Sequence, residues 1–588
     1  MFSVIKKFDK LLNSKQKSRV FMLGTVTLIG AFLEVIGVSL MLPLITAIMQ
    51  PKIIYTNKYI AYICKILDLH SHRTFVIACI IAVILVFIFK DIFLIVQYYI
   101  QARFVFNNQF ATQQKMLRGF LNRPYEFFLN VESGEILRVI QSDVPVTYSL
   151  LMTVLSMFTE IIVSVSISIT IFIIDPVMTI FVIIMMALAI LIISKLVKPI
   201  LKKKGEEKHL QGSLTYKWLI QSITGIKEIK VGAKEEFFED NFTLSGKKYI
   251  SAEKWNTVFS NIPRLMIEMV SVCSTLAFIA FMIFKGKNIE TLVPTLGAFA
   301  MASMKLMPSA NRIIGTINQI VFQEPSLNKL LLDIELFEED EIKYAKYRKK
   351  NISRVERKLS FNDKIELKNI TYRYRESDKL ILDNADMIIP IGKSIGIVGV
   401  SGAGKTTAVD ILLGVLLAQK GEILTDGINV IENYSEWLSH IGYIPQSIFM
   451  LDDDIKSNVA FGVAKEEQNE EMIWKALREA QLEEFVKELK DGINTKIGER
   501  GLRLSGGQKQ RIGIARALYL DPEVLIFDEA TSALDNETEA AIMSSVNNLH
   551  GKKTLIIIAH RLQTIEGCDI VYRVENGKIA VEKDKKAN

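Results

Sequence analysis

A six-span helical membrane domain followed by a soluble α/β domain of the P-loop type, with a helical subdomain, is the fold class this sequence predicts. Three observations carry the prediction. Residues 1–320 hold six apolar stretches of membrane-helix length, where about 20 apolar residues cross a hydrocarbon core about 30 Å thick. Gly399–Thr406 reads GVSGAGKT, directly after the short apolar run Ser394–Val398. Leu504–Gln508 reads LSGGQ, a second glycine-rich helix start without a phosphate loop of its own. A chain of 588 residues has room for both domains.

Half of the residues are apolar, and they are concentrated in the first part of the chain. The net charge of +7 comes partly from Lys-rich segments between apolar runs, which suits cytoplasmic connections rather than nucleic-acid binding. Cys64, Cys79, Cys273 and Cys568 are scattered, with no CxxC pair, so they read as small core residues rather than metal ligands or disulfides. Residues 1–20 carry Lys6, Lys7, Lys10, Lys15, Lys17 and Arg19 ahead of the first apolar run. That run outlasts a signal peptide's and has no small-residue cleavage site, so it reads as a retained first span.

The expected spans are 21–48, 76–100, 146–174, 177–197, 261–284 and 289–312. Asp175-Pro176 forms a tight turn between the third and fourth, and Lys285–Asn288 separates the fifth and sixth. Two long connections, 101–145 and 198–260, are polar, basic and poor in Pro and Gly. Their Lys content places them in the cytoplasm, and their length and composition predict spans that continue as helices beyond the membrane. The expected bends are Tyr125–Gly134 and Thr224–Glu235, where the extensions would touch the nucleotide domain. Residues 51–75 form the sizeable external connection. Within it, Tyr59–Leu69 has an apolar stripe at helical spacing, read as an interfacial helix or one packed on the spans. An even number of spans returns the C-terminal domain to the cytoplasm, on a multi-pass cell (inner or plasma) membrane protein. The domains read as 1–332 (membrane), 333–360 (a linker rich in Glu, Lys and Arg) and 361–588 (nucleotide-binding).

In the soluble part, strand Ser394–Val398, the loop and the helix from Lys405 make the context a P-loop needs. Its glycines let successive backbone N–H groups turn toward phosphates, and the helix N-terminus adds a favourable field. Gly399, Ser401, Gly402, Ala403, Gly404, Lys405, Thr406 and Thr407 therefore read as ATP-binding residues, with Lys405 on the β/γ-phosphates and Thr406 on Mg²⁺. A second apolar strand, Val524–Phe527, runs into Asp528, a Mg²⁺ residue, and Glu529, the general base for the attacking water. Ser505 is a good N-cap, and Gly506 and Gly507 leave donors open to an anion where helix formers would otherwise be favoured.

With these motifs in this order, residues 361–588 resemble the nucleotide-binding domain of an ABC transporter. The resemblance implies that Tyr374 stacks on adenine and that Gln446 senses Mg²⁺ and the attacking water. It makes Ser505, Gly506, Gly507 and Gln508 a signature that contacts ATP held by another subunit. Ser532–Asp535 matches the D-loop, His560 the switch histidine at the γ-phosphate, and Gly498–Gly501 the X-loop of exporters. Six spans ahead of one such domain is similar to an exporter half-transporter, the partner being a second identical subunit. The expected activity is ATP hydrolysis coupled to transport across the membrane.

Cations within spans are costly and mark pathways. Lys90, Arg264, Lys305 and Arg312 read as a basic belt facing a substrate with a greasy tail and an anionic head. Ile262–Glu268 (IPRLMIE) and Lys305–Ile313 (KLMPSANRI) resemble the corresponding segments of bacterial flippases for lipid-linked oligosaccharides. That resemblance implies membrane lipids as surroundings and a polyprenyl-pyrophosphate-linked glycan as cargo, with Lys at 90 and 305 where the family has Arg. Rival readings are an exporter of lipids, lipid A-like molecules or amphipathic drugs, and a membrane-tethered ATPase or channel regulator that moves nothing.

Overall fold

The computed structural model describes residues 2–40, 44, 71–174, 176–285, 289–348, 359–375, 377–498, 501–528, 544, 546, 548–559 and 565–584; side chains at 289–306 and 341–348 are also outside the description. Contacts divide the chain into two units. The first comprises Met1–Arg123 and Asn130–Glu338, the second Pro124–Leu129 and Glu339–Asn588.

The first unit is helical. Helix α1 (Phe2–Leu11) buries Val4 and Phe8 and is followed by α2 (Ser14–Ser39). Helix α3 (His72–Leu121) starts at a capping box in which Ser71 accepts from the Thr74 N–H and Thr74 Oγ1 accepts from the Ser71 N–H. A short α4 (Tyr125–Asn130) is followed by α5 (Ser133–Arg138), a π-turn (Val139–Asp143) and α6 (Val144–Ile174). Pro176 opens α7 (Pro176–Thr224), a position where its missing N–H costs nothing. Then come α8 (Ile226–Gly232), α9 (Glu235–Phe284) and α10 (Ile289–Arg348).

The helices break inside both segments expected to bend. They continue as helix through the long polar connections, as the scarcity of Pro and Gly predicts. Among the described residues four helices are long and apolar enough to cross a membrane, within Ser14–Gly37, His72–Leu121, Ser133–Ile169 and Glu235–Phe281. The fourth expected span retains a shorter apolar helix, Thr179–Leu188. The sixth lies on α10, where the side chains up to residue 306 are outside the description. The proposed external helix Tyr59–Leu69 is outside the described residues altogether. Composition read 333–360 as linker; its first part is helix instead, since α10 runs on to Arg348. Packing explains the difference. Ile334 and Phe337 are buried, and Phe337 meets Phe120 edge-on with ring centroids 4.9 Å apart. An i,i+4 pair, Lys329–Asp333 at 3.0 Å, adds local support.

The second unit carries two sheets. The smaller has the order β2-β1-β4-β5, from β1 (Lys364–Tyr372), β2 (Leu382–Pro390), β4 (Lys420–Thr425) and β5 (Ile428–Asn429), with antiparallel pairs. Between β2 and β4 lie β3 (Ser394–Val398) and α11 (Lys405–Leu412). After β5 come α12 (Tyr434–Ser439) and β6 (Ile441–Ile444). A helical stretch follows: α13 (Ile455–Val459), α14 (Glu470–Glu479), α15 (Glu483–Glu488) and α16 (Gly506–Leu518). The chain then returns through β7 (Val524–Asp528), β8 (Thr554–Ile558), β9 (Ile570–Glu575) and β10 (Lys578–Asp584).

The larger sheet has the order β10-β9-β3-β8-β7-β6, parallel except for the β9–β10 hairpin. Strands β3, β7 and β8 are buried at every position, which is why they read as unbroken apolar runs. One core, including Ile397, Ile411, Trp437 and Ile526, lies between the sheets. The other, including Ile455, Leu477, Ile512 and Phe527, joins the sheet to the helical subdomain.

A single carboxylate closes the start of β1. Asp426, in the turn between β4 and β5, accepts from the backbone N–H groups of Asn362, Asp363 and Lys364 and from the Ser360 hydroxyl. Burial raises its pKa, but the backbone donors and the hydroxyl outweigh it and hold the value at about 2. The value free in solution is ~3.9. A depressed folded pKa contributes stability that is complete above the unfolded value and is lost as pH falls through about 2. Asp426→Asn is expected to destabilise this unit by about 1 kcal/mol at neutral pH. In melts between pH 7 and pH 3, the gap to the unsubstituted protein should narrow below about pH 4. A gap constant with pH would remove the carboxylate from this role.

Candidate nucleotide site

Strands β3, β8, β7 and β6 run parallel as neighbours, so their carboxyl ends share one edge of the sheet. Each strand delivers one expected residue there. Strand β3 runs directly into Gly399–Thr406, β7 ends on Asp528, β6 ends two residues before Gln446, and β8 two before His560. Glu529 and His560 lie outside the described residues, as do Ser532–Asp535, Glu499 and Arg500.

The phosphate loop turns on left-handed glycines. Gly399 has φ +155°, and a Cβ there would meet the Val574 carbonyl oxygen at 2.4 Å. Gly404, at φ +102°, is the N-cap of α11, where any Cβ would press on Ile381. Lys405 opens the helix, is only 5% exposed, and donates from Nζ to the carbonyls of Gly399 (3.0 Å) and Val400 (3.3 Å). The ammonium is thus folded over its own loop, where a phosphate would compete for it. Ser401, Gly402 and Thr406 are exposed, Ala403 and Gly404 partly so, and Thr407 is buried.

Thr407 Oγ1 lies 3.1 Å from the Tyr374 hydroxyl, which ties the expected adenine-stacking ring to the second residue after Lys405. Asp528 is 5% exposed and accepts from the Tyr443 hydroxyl at 3.2 Å. Burial and then the Asp528 charge push the Tyr443 phenol upward. Asp410, on the next turn of α11, is raised to about 6 by burial and then by Asp528. A hydroxyl at Thr406 and a carboxylate at Asp528 are hard oxygen donors, the kind that Mg²⁺ takes together with phosphate oxygens. The residues present therefore fit MgATP. Gln446 is exposed at the same edge.

The LSGGQ segment begins α16 as a reciprocal cap. Ser505 Oγ accepts from the Gln508 N–H at 3.2 Å, and Gln508 Oε1 accepts from the Ser505 N–H at 2.8 Å. Gly506 is exposed and Gly507 buried. Farther along, Arg516 is half-buried and makes no ion pair among the described residues. It donates to the carbonyls of Phe449 and Asn458, which ties α16 to the segment after Gln446. Desolvation lowers its pKa to about 10.

Sequence reasoning passed over Tyr443, Asp410, Arg516 and the pair Glu126–Arg375. Asp410 carries a signal that was available: an acid one turn beyond the P-loop lysine, in an otherwise apolar helix.

The four cations of the expected belt fare differently. Lys90 is buried, ion-paired with Asp91 at 3.0 Å and set over the Phe87 ring. Arg312 meets Glu160. Arg264 is exposed and makes no ion pair among the described residues. The Lys305 side chain lies outside the description.

Family models for the ABC transporter and for the ABC transporter transmembrane region match residues 382–532 and 36–307. The ATP-dependent lipid A-core flippase of Francisella tularensis is 43% identical over 222 residues, 38% of this chain and 36% of that protein. The alpha-hemolysin translocation ATP-binding protein of Escherichia coli is 32% identical over 396 residues, 67% of this chain and 54% of that one. The leukotoxin translocation ATP-binding protein of Mannheimia glucosida is 31% identical over 399 residues, with the same coverage. The matched part of this chain thus spans about a third of the flippases' length and about half of the toxin translocators'. A solved bacterial Atm1-family ABC exporter with ATP bound shares the fold, with a TM-score of 0.75, 19% identity, and coverage of 96% of this chain and 95% of that one.

Proposed function

This chain belongs to the ABC transporter family, and we propose that it is one half of a homodimeric, ATP-driven flippase. Its cargo is a polyprenyl-pyrophosphate-linked glycan, moved from the cytoplasmic to the outer side of a bacterial cell membrane. The observation that carries the ATPase reading is the sheet edge that gathers the Lys405 loop, Asp528 and Gln446. The signature serine begins a separate helix, so two copies facing each other would complete two sites. In this reading Lys405 and the loop amides neutralise the β/γ-phosphates, and Glu529 takes the proton of the attacking water. Bound Mg²⁺, held by Thr406 and Asp528, would supply charge neutralisation at the phosphates. Gln446 and His560 orient the water and the γ-phosphate. ATP drives transport only if it binds the closed pair of subunits better than the open one.

The lipid reading is supported by Arg264. It is an exposed cation on α9 among exposed Leu265, Met266 and Met269, a setting suited to a greasy molecule with an anionic head. Arg312 exchanges its carboxylate partner for the pyrophosphate in this scheme, and Lys90 is held as an internal ion pair rather than a ligand. The flippase relatives favour a second lipid cargo, one like lipid A. Reconstitution in proteoliposomes separates the cargoes: ATP-dependent relocation of a labelled polyprenyl-pyrophosphate glycan, abolished by Glu529→Gln, is the expected result. Relocation of lipid A alone, or of neither, overturns the assignment. Neutralising Arg264 and Arg312 together is expected to cut relocation about tenfold or more, since each charge-assisted contact contributes about 1.5–3 kcal/mol. ATP turnover should fall less than transport. Undiminished relocation would remove both arginines from the pathway.

A further inference from the structure

We propose that Glu126 is a positioning residue for the base-stacking Tyr374. The inference rests on the reading that Tyr374 takes the base. Its first support is the membership of the segment. Pro124–Leu129 is flanked in sequence by helices of the first unit, yet it packs as part of the second. Inside that unit Glu126 Oε2 lies 3.3 Å from Arg375 Nε, with the Glu126 side chain 18% exposed. Its other oxygen, Oε1, is buried, and so is the Tyr372 hydroxyl. The two groups face each other: after burial itself, the Glu126 carboxylate is the largest influence raising the Tyr372 phenol.

From Glu126 the contacts run into the site without a break. Strand β1 ends at Tyr372; beyond it Gln419 holds the Arg373 backbone, accepting from its N–H and donating to its carbonyl, and the Tyr374 carbonyl accepts from the Ser377 N–H. Three side-chain contacts bear on where the Tyr374 ring stands. Its ring meets the Tyr372 ring edge-on, with centroids 5.2 Å apart at 84°. Its hydroxyl meets Thr407 of the P-loop helix. Its neighbour Arg375 is drawn to Glu126. Glu126 therefore touches both residues that flank the stacking ring, at 372 and 375, and sets where the ring stands.

The ion pair itself is half in water, with Arg375 62% exposed, and such pairs add little to stability. Its loss should be read in nucleotide affinity rather than in folding. The test uses the full chain in lipid nanodiscs, with Glu126→Gln, Arg375→Ala and the exchange Glu126→Arg/Arg375→Glu. The single variants are expected to raise KM for ATP about three- to tenfold, a coupling of the usual size. They should leave kcat within about twofold and leave inhibition by tripolyphosphate, which has no base, unchanged. The exchange is expected to recover most of the lost affinity. Unchanged KM in both single variants overturns the proposal, and so does an equal weakening of tripolyphosphate, which would route the effect through the phosphate loop. Tyr374→Ala separates the two layers. If it leaves KM for ATP unchanged, the base reading itself fails. If it raises KM while the Glu126 and Arg375 variants do not, only the positioning role fails.

Discussion

Lys405→Ala is expected to leave no measurable ATP turnover, a loss of about a thousandfold or more. The ammonium is a compact charge held at the mouth of the phosphate loop by the Gly399 and Val400 carbonyls, and nothing nearby replaces it. Removing one preorganised donor from a developing negative charge costs about 10²–10³ in rate. Lys405 also contributes to binding, so both effects accumulate. The fold should survive. Lys405 leans on neutral carbonyls, so its removal strands no carboxylate in the interior. The check is phosphate release together with a melt in the presence and absence of MgATP. The unsubstituted protein gains about 2.7 kcal/mol when ligand stands at a hundred times Kd, and the variant should gain almost none. Turnover within tenfold of the parent would take the nucleotide site away from this loop.

Arg138→Ala is expected to destabilise the helical unit by about 3–5 kcal/mol, the usual cost of stranding one partner of a buried ion pair. Arg138 donates to Asp143 Oδ2 at 2.6 Å, with the two side chains 4% and 2% exposed. They stand at either end of the π-turn that joins α5 to α6. His209 of α7 meets both, with its Nε2 lying 3.5 Å from Asp143. This cluster lines a cleft of about 330 Å³ with Lys208, Tyr249 and Phe322. Without the guanidinium, Asp143 keeps only the histidine. The double variant Arg138→Ala/Asp143→Ala should recover a substantial part of the loss, because no charge is then left buried. Thermal melts of the protein in detergent measure both. A single variant as stable as the parent would show that water reaches Asp143 freely.

The nucleotide half was legible residue by residue because its elements are local. A buried strand, a glycine turn and a helix start are consecutive in sequence, and their chemistry needs only a few residues at fixed spacing. The same holds for the Ser505 cap and for the bends near 125–134 and 224–235, which Gly and Pro usage foretold. The helical start of the 333–360 linker was not legible, because Glu and Lys describe a surface, and only Phe337 against Phe120 says that the surface belongs to a packed helix. The basic belt was the least legible part. Composition counts Lys90 and Arg312 as cations, whereas Asp91 and Glu160 cancel them in space, and Glu160 lies some 150 residues from its partner in sequence.

Sequence alone determined the two-domain plan, the helical character of the long connections and the strand–glycine turn–helix at Ser394–Leu412. Those features depend on hydrophobic length, backbone permissiveness and short-range hydrogen bonding, all written within a few turns of chain. The tertiary structure decided which charges remain free, which carboxylate lies beside Asp528, and that Glu126 reaches the loop holding Tyr374. These outcomes depend on distances between residues far apart in the chain, and the strength of a charge or a hydrogen bond is set by what folding brings next to it.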